Sequence, residues 1–217
     1  MSTKLSTLII APHADDEVLG CGGILYRYRE STDVVIVSER SYPNKPDRDR
    51  QVKNSRKVLN YRWLYTWNLP DELLDNNIAA IAKSIEDLLN TNAYTDVYIP
   101  FWGDNNQDHR AVFDSCSIAL RRFSNDTIKR VFCYEVPSST EQALSYSRTP
   151  FKPTAFVSLS KNEVSIKIKA FNQYKSETRQ SPHPRSTKKL KALMSVRGSE
   201  CNSEYAEAFI PLYLKYD

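Results

Sequence analysis

No stretch of these 217 residues is apolar for long enough to cross a bilayer, and the apolar run within MSTKLSTLIIAPH reads as too short for a signal peptide. Cysteine is sparse. The four thiols, Cys21, Cys116, Cys133 and Cys201, include no CxxC pair. A chain of this length with so few has no disulfide framework, so they read as reduced, mostly buried thiols of a cytoplasmic protein. A strong excess of one charge is also missing. The net charge is +4 and the basic residues are scattered, the densest stretch being STKKLK at residues 186–191. That balance tolerates an anionic substrate but gives no nucleic-acid signature. With 41% hydrophobic and 26% charged residues, disorder is excluded as well. Repeats, low-complexity tracts and a convincing linker are absent, so residues 1–217 read as a single domain.

What is present alternates between two periodicities. Short β-branched runs at residues 5–11, 33–38, 95–100 and 130–135 predict strands. Helical patterns fall between them, at residues 17–30, 48–60, 76–89 and 109–122. The helix at 76–89 is the clearest, with Ile78, Ile81, Ile85, Leu88 and Leu89 at helical spacing. Continuous apolar strands in β-α-β order predict an α/β fold whose mostly parallel sheet is covered on both faces. Strands at 154–159 and 207–214, helices at 161–174 and 186–196, and a polar loop at 174–186 read as a C-terminal α/β elaboration.

Two of the predicted strands run into clusters of ionisable residues. The first reads LIIAPHADDEVLGCGG from Leu8 to Gly23 and the second FWGDNNQDHR from Phe101 to Arg110. Like-signed carboxylates repel, so three acids within five residues need a cation among them or a helix start to complement. Only three histidines occur, and His13 and His109 both sit at such strand ends. In open α/β sheets, ligands bind beyond the carboxyl ends of the strands. A divalent cation held by His13, Asp16 and His109 answers the crowding. Three protein ligands and an open position suit a catalytic rather than a structural zinc. Asp15 is then left over as a general base, and Asp108 is placed to orient a ligand from behind. Acids after a strand are also ordinary helix N-terminal residues, and that reading stands beside the metal one.

Pro12–Glu17 followed by Gly20–Gly23 resembles the PHPDDE…GCGG signature of the PIG-L/LmbE-like family of zinc-dependent de-N-acetylases. Similarity continues in order: Arg48 in a helix like the family's RxxE…A…LG, then Asn106–Arg110 against an HPDHR-like second motif. YEVPSST at 134–140, SPHPRS at 181–186 and Arg197-Gly198…YAEAF ending at Phe209 resemble one bacterial branch. The resemblance runs essentially end to end. It implies a Rossmann-like three-layer α/β fold and hydrolysis of the N-acetyl group of an amino sugar, free or conjugated. It also implies zinc on His13, Asp16 and His109, Asp15 as the base that later protonates the leaving amine, and Arg48 in contact with substrate. Iron, cobalt or manganese could occupy the same ligand set.

The chain departs from the family pattern at three positions. Ala14 replaces a common proline, Gln51 replaces the helix glutamate, and Asn106 replaces the first histidine of the second motif. Asparagine donates a hydrogen bond to an oxyanion but transfers no proton. His183, flanked by Pro182 and Pro184, is the remaining histidine. It is either the group that supplies the missing contact, from within the chain or from a neighbouring subunit of a homo-oligomer, or a surface residue held by prolines. Trp102 reads as a sugar-stacking residue or a core tryptophan. Gly20, Gly22 and Gly23 fall inside a predicted helix, so they read as close packing and not as a dinucleotide fingerprint. The rival to an enzyme is a catalytically silent metal- or sugar-binding protein on the same scaffold.

Overall fold

The structure is a computed structural model and describes residues 5–39, 47–121, 126–144 and 149–216. The strands are β1 (Thr7–Ala11), β2 (Thr32–Glu39), β3 (Trp63–Pro70), β4 (Asp96–Pro100), β5 (Arg130–Tyr134), β6 (Ala155–Ser158) and β7 (Ala206–Leu214). The helices are α1 (Asp16–Arg27), α2 (Arg48–Leu59), α3 (Ile78–Thr91), α4 (Gln107–Ala119), α5 (Lys161–Phe171) and α6 (Thr187–Ser199). All six predicted strands and six predicted helices are present, with ends shifted by a few residues. The expected end of α4 at residue 122 lies outside the described residues.

β3 is an addition. Its sequence WLYTWNLP alternates exposed and half-buried positions on an edge strand, carries Asn68 at φ 54° and ends in proline. It therefore lacks the continuous apolar run that marks its neighbours.

The sheet runs β3-β2-β1-β4-β5-β7-β6. Its first five strands are parallel, and β7 and β6 are added antiparallel. Alternation along each strand divides the core into two layers. Leu8, Ile10, Val35, Val97 and Ile99 pack with Ile81, Ile85, Val112 and Cys116 from α3 and α4. Ile9, Val34, Ile36 and Tyr98 face Val18, Leu25, Val52 and Phe171 from α1, α2 and α5. The result is the expected Rossmann-like three-layer α/β arrangement.

β1 has β2 on one side and β4 on the other, and the chain reverses its direction of winding there. That switch point is where an open sheet leaves a crevice at its carboxyl edge. The residues following β1 and β4 meet in it.

The glycines of α1 let it sit against the sheet. A Cβ on Gly20 would run into the ring of Tyr134, whose hydroxyl donates to Ile10 O at 2.8 Å. Cys21, Cys116 and Cys133 are buried and Cys201 half-buried, all as free thiols. Among the described residues, no helix is long and apolar enough to cross a membrane.

Candidate metal centre

The turn from β1 into α1 is short because Pro12 ends the strand and α1 begins at Asp16. Ser38 N donates to Pro12 O at 2.9 Å, tying the turn to the end of β2. Asp15 adopts φ 116°, in the left-handed region that costs a non-glycine residue about 1–3 kcal/mol. Its carbonyl accepts from the backbones of Val18 and Leu19, and its N–H donates to Glu17 Oε2 at 2.9 Å. The left-handed residue reverses the chain tightly enough for His13 and Asp16 to face each other.

His13 Nδ1 and His109 Nε2 both lie 3.2 Å from Asp16 Oδ2. One ligand atom from each of these three buried residues falls within 4.8 Å of the others. Asp16 Oδ1 is buried and has no hydrogen-bond partner among the described residues. A buried carboxylate oxygen without a partner is costly unless a cation takes it. Two imidazole nitrogens and this carboxylate therefore fit a divalent ion of borderline softness.

Each histidine is backed by carboxylates on its other nitrogen. His13 Nε2 lies 2.8 Å from Asp71 Oδ1 and 3.1 Å from Asp108 Oδ2. His109 Nδ1 lies 3.3 Å from Asp104 Oδ2, within ion-pair reach but off hydrogen-bond alignment. Asp108 accepts from Glu72 N at 2.7 Å and Leu74 N at 3.1 Å. Asp104 accepts from Ser139 Oγ and, at 2.6 Å, from Thr140 Oγ1. A carboxylate behind a ligating imidazole fixes its tautomer, leaving the opposite nitrogen's lone pair for the ion.

The electrostatics describe the same field. Burial alone would lower the pKa of His13, yet Asp108, Asp16 and Asp71 raise it well above the usual histidine value. Burial is likewise outweighed at His109, where Asp16 and Asp104 lift the pKa to about 9. Burial would raise the Asp16 pKa, but His109 and His13 hold it well below the usual carboxylate range. A pocket that pulls protons onto two buried histidines is one that favours a cation.

Asp15 stands beside this cluster. Burial, opposed by Arg185, raises its pKa, with Asp16 adding to the rise. Arg48 Nη2 lies 3.4 Å from Asp15 Oδ1 and donates to Ala14 O. Gln51, at the glutamate position of the helix motif, accepts from Ser176 N at 3.3 Å and Ser176 Oγ at 3.1 Å. Glu17 is buried against Tyr174, whose hydroxyl donates to it at 2.5 Å, and burial pushes its pKa to about 7.

A cavity of about 250 Å³ opens next to Ala14 and Arg48, reaching Ser38, Lys53, Arg56 and Asn68. Ser38 Oγ and Arg48 Nε are both buried and find no partner among the described residues.

The other sequence candidates are spread more widely. Asn106 caps α4, its side chain accepting from Asp108 N at 2.9 Å. Trp102 is half-buried, with its ring 4.4 Å from Phe101 and 5.7 Å from Phe113, on the α3/α4 core. His183 is exposed, and its Nδ1 accepts from Arg185 N at 3.0 Å within its own loop. Asp71, Asp104, Glu177 and Arg185 join the centre without having been singled out in the sequence. Of these, Asp104, in the same polar loop as Asp108, and Arg185, inside the SPHPRS match, carried signals that could have found them.

A model of the GlcNAc-PI de-N-acetylase family, PIG-L, matches residues 8–120, just over half of the chain. The chain is 26% identical over 179 residues to the uncharacterized deacetylase YaiS of Escherichia coli K12, covering 78% of this chain and 90% of that protein. Among solved structures it is similar to the conserved protein TT1542 of Thermus thermophilus. That match has a TM-score of 0.76 and 23% identity, over 99% of this chain and 98% of the other. It is also similar to the N,N′-diacetylchitobiose deacetylase of Pyrococcus horikoshii. There the TM-score is 0.75 and the identity 19%, over 96% of this chain and 84% of the other. The reach of the family model, which spans both strand-end clusters, establishes that this chain belongs to the PIG-L family of de-N-acetylases.

Proposed function

We propose that this chain is a zinc-dependent hydrolase that removes the acetyl group from an N-acetylated amino sugar or its conjugate, releasing acetate. The observation that carries the reading is the buried His13–Asp16–His109 set, with Asp16 Oδ1 unpartnered among the described residues and Asp15 beside it. A divalent ion held by these three residues supplies Lewis acidity, polarising an amide carbonyl and acidifying water.

The chain's own groups account for the rest. Asp15 is the base: its carboxylate takes a proton from the attacking water and returns it to the amine nitrogen as the C–N bond breaks. Burial raises the proton affinity of this carboxylate, which suits it to carry that proton between steps. Asp71 and Asp108 hold the His13 imidazole in the tautomer that presents its lone pair inward, and the Asp104 charge beside His109 Nδ1 favours the matching tautomer there. The cavity beside Arg48, lined also by Ser38, Lys53 and Asn68, offers polar side chains to the hydroxyls of a sugar ring. Cysteine usage favours the cytoplasm as its compartment.

The test is acetate release from a panel including N-acetylglucosamine and N,N′-diacetylchitobiose, with metal analysis. Activity lost on chelation and restored by one equivalent of zinc is expected. One equivalent of bound metal with no acetate from any conjugate would favour a silent binding protein.

A further inference from the structure

The segment between α5 and α6, residues 172–186, brings Arg185 against Asp15 at the end of the sheet. Arg185 Nη1 lies 3.1 Å from Asp15 Oδ2 and 2.9 Å from Glu177 Oε2, and its Nε donates to Ser138 Oγ at 2.6 Å. Glu177 Oε1 lies 3.2 Å from Arg48 Nη1, and Arg48 Nη2 returns to Asp15 Oδ1 at 3.4 Å. Two carboxylates and two guanidiniums thus alternate around a closed ring. Each oxygen of Asp15 faces a different arginine.

This arrangement does more than neutralise charge. Asp15 sits in a left-handed turn, so no regular helix geometry sets the direction of its side chain. Rotating the carboxylate breaks both arginine pairs at once. Glu177, 2% exposed, grips both arginines and keeps them apart by the width of one carboxylate. Because the ring carries balanced charge, the burial of its members is compensated. The exposed His183 braces the same loop, its ring accepting the N–H of Arg185. In SPHPRS, then, the arginine reaches the centre and the histidine supports the backbone that carries it.

We propose that Arg185 is a positioning residue: it holds the Asp15 carboxylate at the angle from which it serves the reaction, with Glu177 locking Arg185 and Arg48 in place. The inference rests on Asp15 being the base.

The test compares wild type, Arg185→Ala and Arg185→Lys, each loaded with zinc. In crystals of Arg185→Ala, the Asp15 carboxylate is expected to shift or split between rotamers while His13, Asp16 and His109 stay in place. Zinc remains at one equivalent. On whichever of N-acetylglucosamine or N,N′-diacetylchitobiose the wild type deacetylates, kcat falls about 10–100-fold and KM changes by less than about threefold. The Arg185 side chain is 16% exposed, so a small cation can refill the vacated space. Methylguanidinium therefore restores part of kcat in Arg185→Ala, a rescue that a merely structural arginine would not show. Lysine gives an intermediate value, since it cannot span Asp15, Glu177 and Ser138 together.

An unmoved Asp15 in the variant crystals overturns the proposal. So does an unchanged kcat, a rise in KM alone, or loss of zinc along with activity. If the wild type releases no acetate from either compound, the deacetylase reading fails for them, and the position of Asp15 still decides the role of Arg185. Should Arg185→Ala not fold, Ser138→Ala removes only the Nε anchor. It should lower kcat about 2–10-fold in the same direction, and no change there also overturns the proposal.

Discussion

Asp104→Asn probes the support behind the metal centre. Asp104 is fully buried, lies 3.3 Å from His109 Nδ1, and is anchored by Ser139 and Thr140. Asparagine keeps the shape and can still accept from one hydroxyl, so the fold should persist. What it loses is the negative charge that favours one tautomer of His109 and adds to the field at the ligand set. Removing a carboxylate of this kind typically weakens metal binding about 10–100-fold, or about 1.4–2.7 kcal/mol. Competition against a chromophoric chelator reads this directly, with thermal melting of the zinc-loaded protein as the check on folding. Unchanged zinc affinity in a folded Asp104→Asn protein would refute the idea that this carboxylate supports the centre through His109.

Three further outcomes are expected. Gly20→Ala forces a methyl group into the Tyr134 ring and should destabilise the protein by about 1–3 kcal/mol in denaturant titration, a cost that open space at Gly20 would not produce. Glu207→Gln leaves the Lys167 ammonium, 2.6 Å away and buried, without its counter-charge, and should cost about 3–5 kcal/mol. A melting temperature equal to wild type would contradict that reading. In the metal-free protein the His109 pKa is raised from 6.5 to about 9, so the stabilisation it brings is complete below about pH 6.5 and lost as pH rises through about 9. Melting temperature should fall across that window while zinc affinity rises, because metal and proton compete for the same nitrogen. A zinc affinity independent of pH there would count against this ligand set.

Much of this was legible in the sequence, for identifiable reasons. β1, β2 and β4 are buried on both faces, so they appear as unbroken apolar runs, and His13, Asp15, Asp16 and His109 come after β1 and β4. β3 sits at an edge with alternating exposure, which hid both the strand and Asp71 just beyond it. Glu177 and Arg185 lie in a stretch without periodicity. Their importance comes from a fold-back onto Asp15 that no local pattern encodes. Asn106 sits at the start of α4, where its side chain serves as a helix cap. The pattern around Trp102 could not decide between a sugar platform and a core residue, and the structure puts its ring on Phe101 and Phe113.

The most direct test of the central claim is the rate of acetate release by zinc-loaded Asp15→Asn beside wild type, with zinc content measured on the same samples. The variant should keep one equivalent of zinc and lose about 10²–10⁴-fold in kcat, the contribution of a positioned proton-transfer group. Turnover at the wild-type rate with the zinc in place would contradict the assignment of Asp15 as the base.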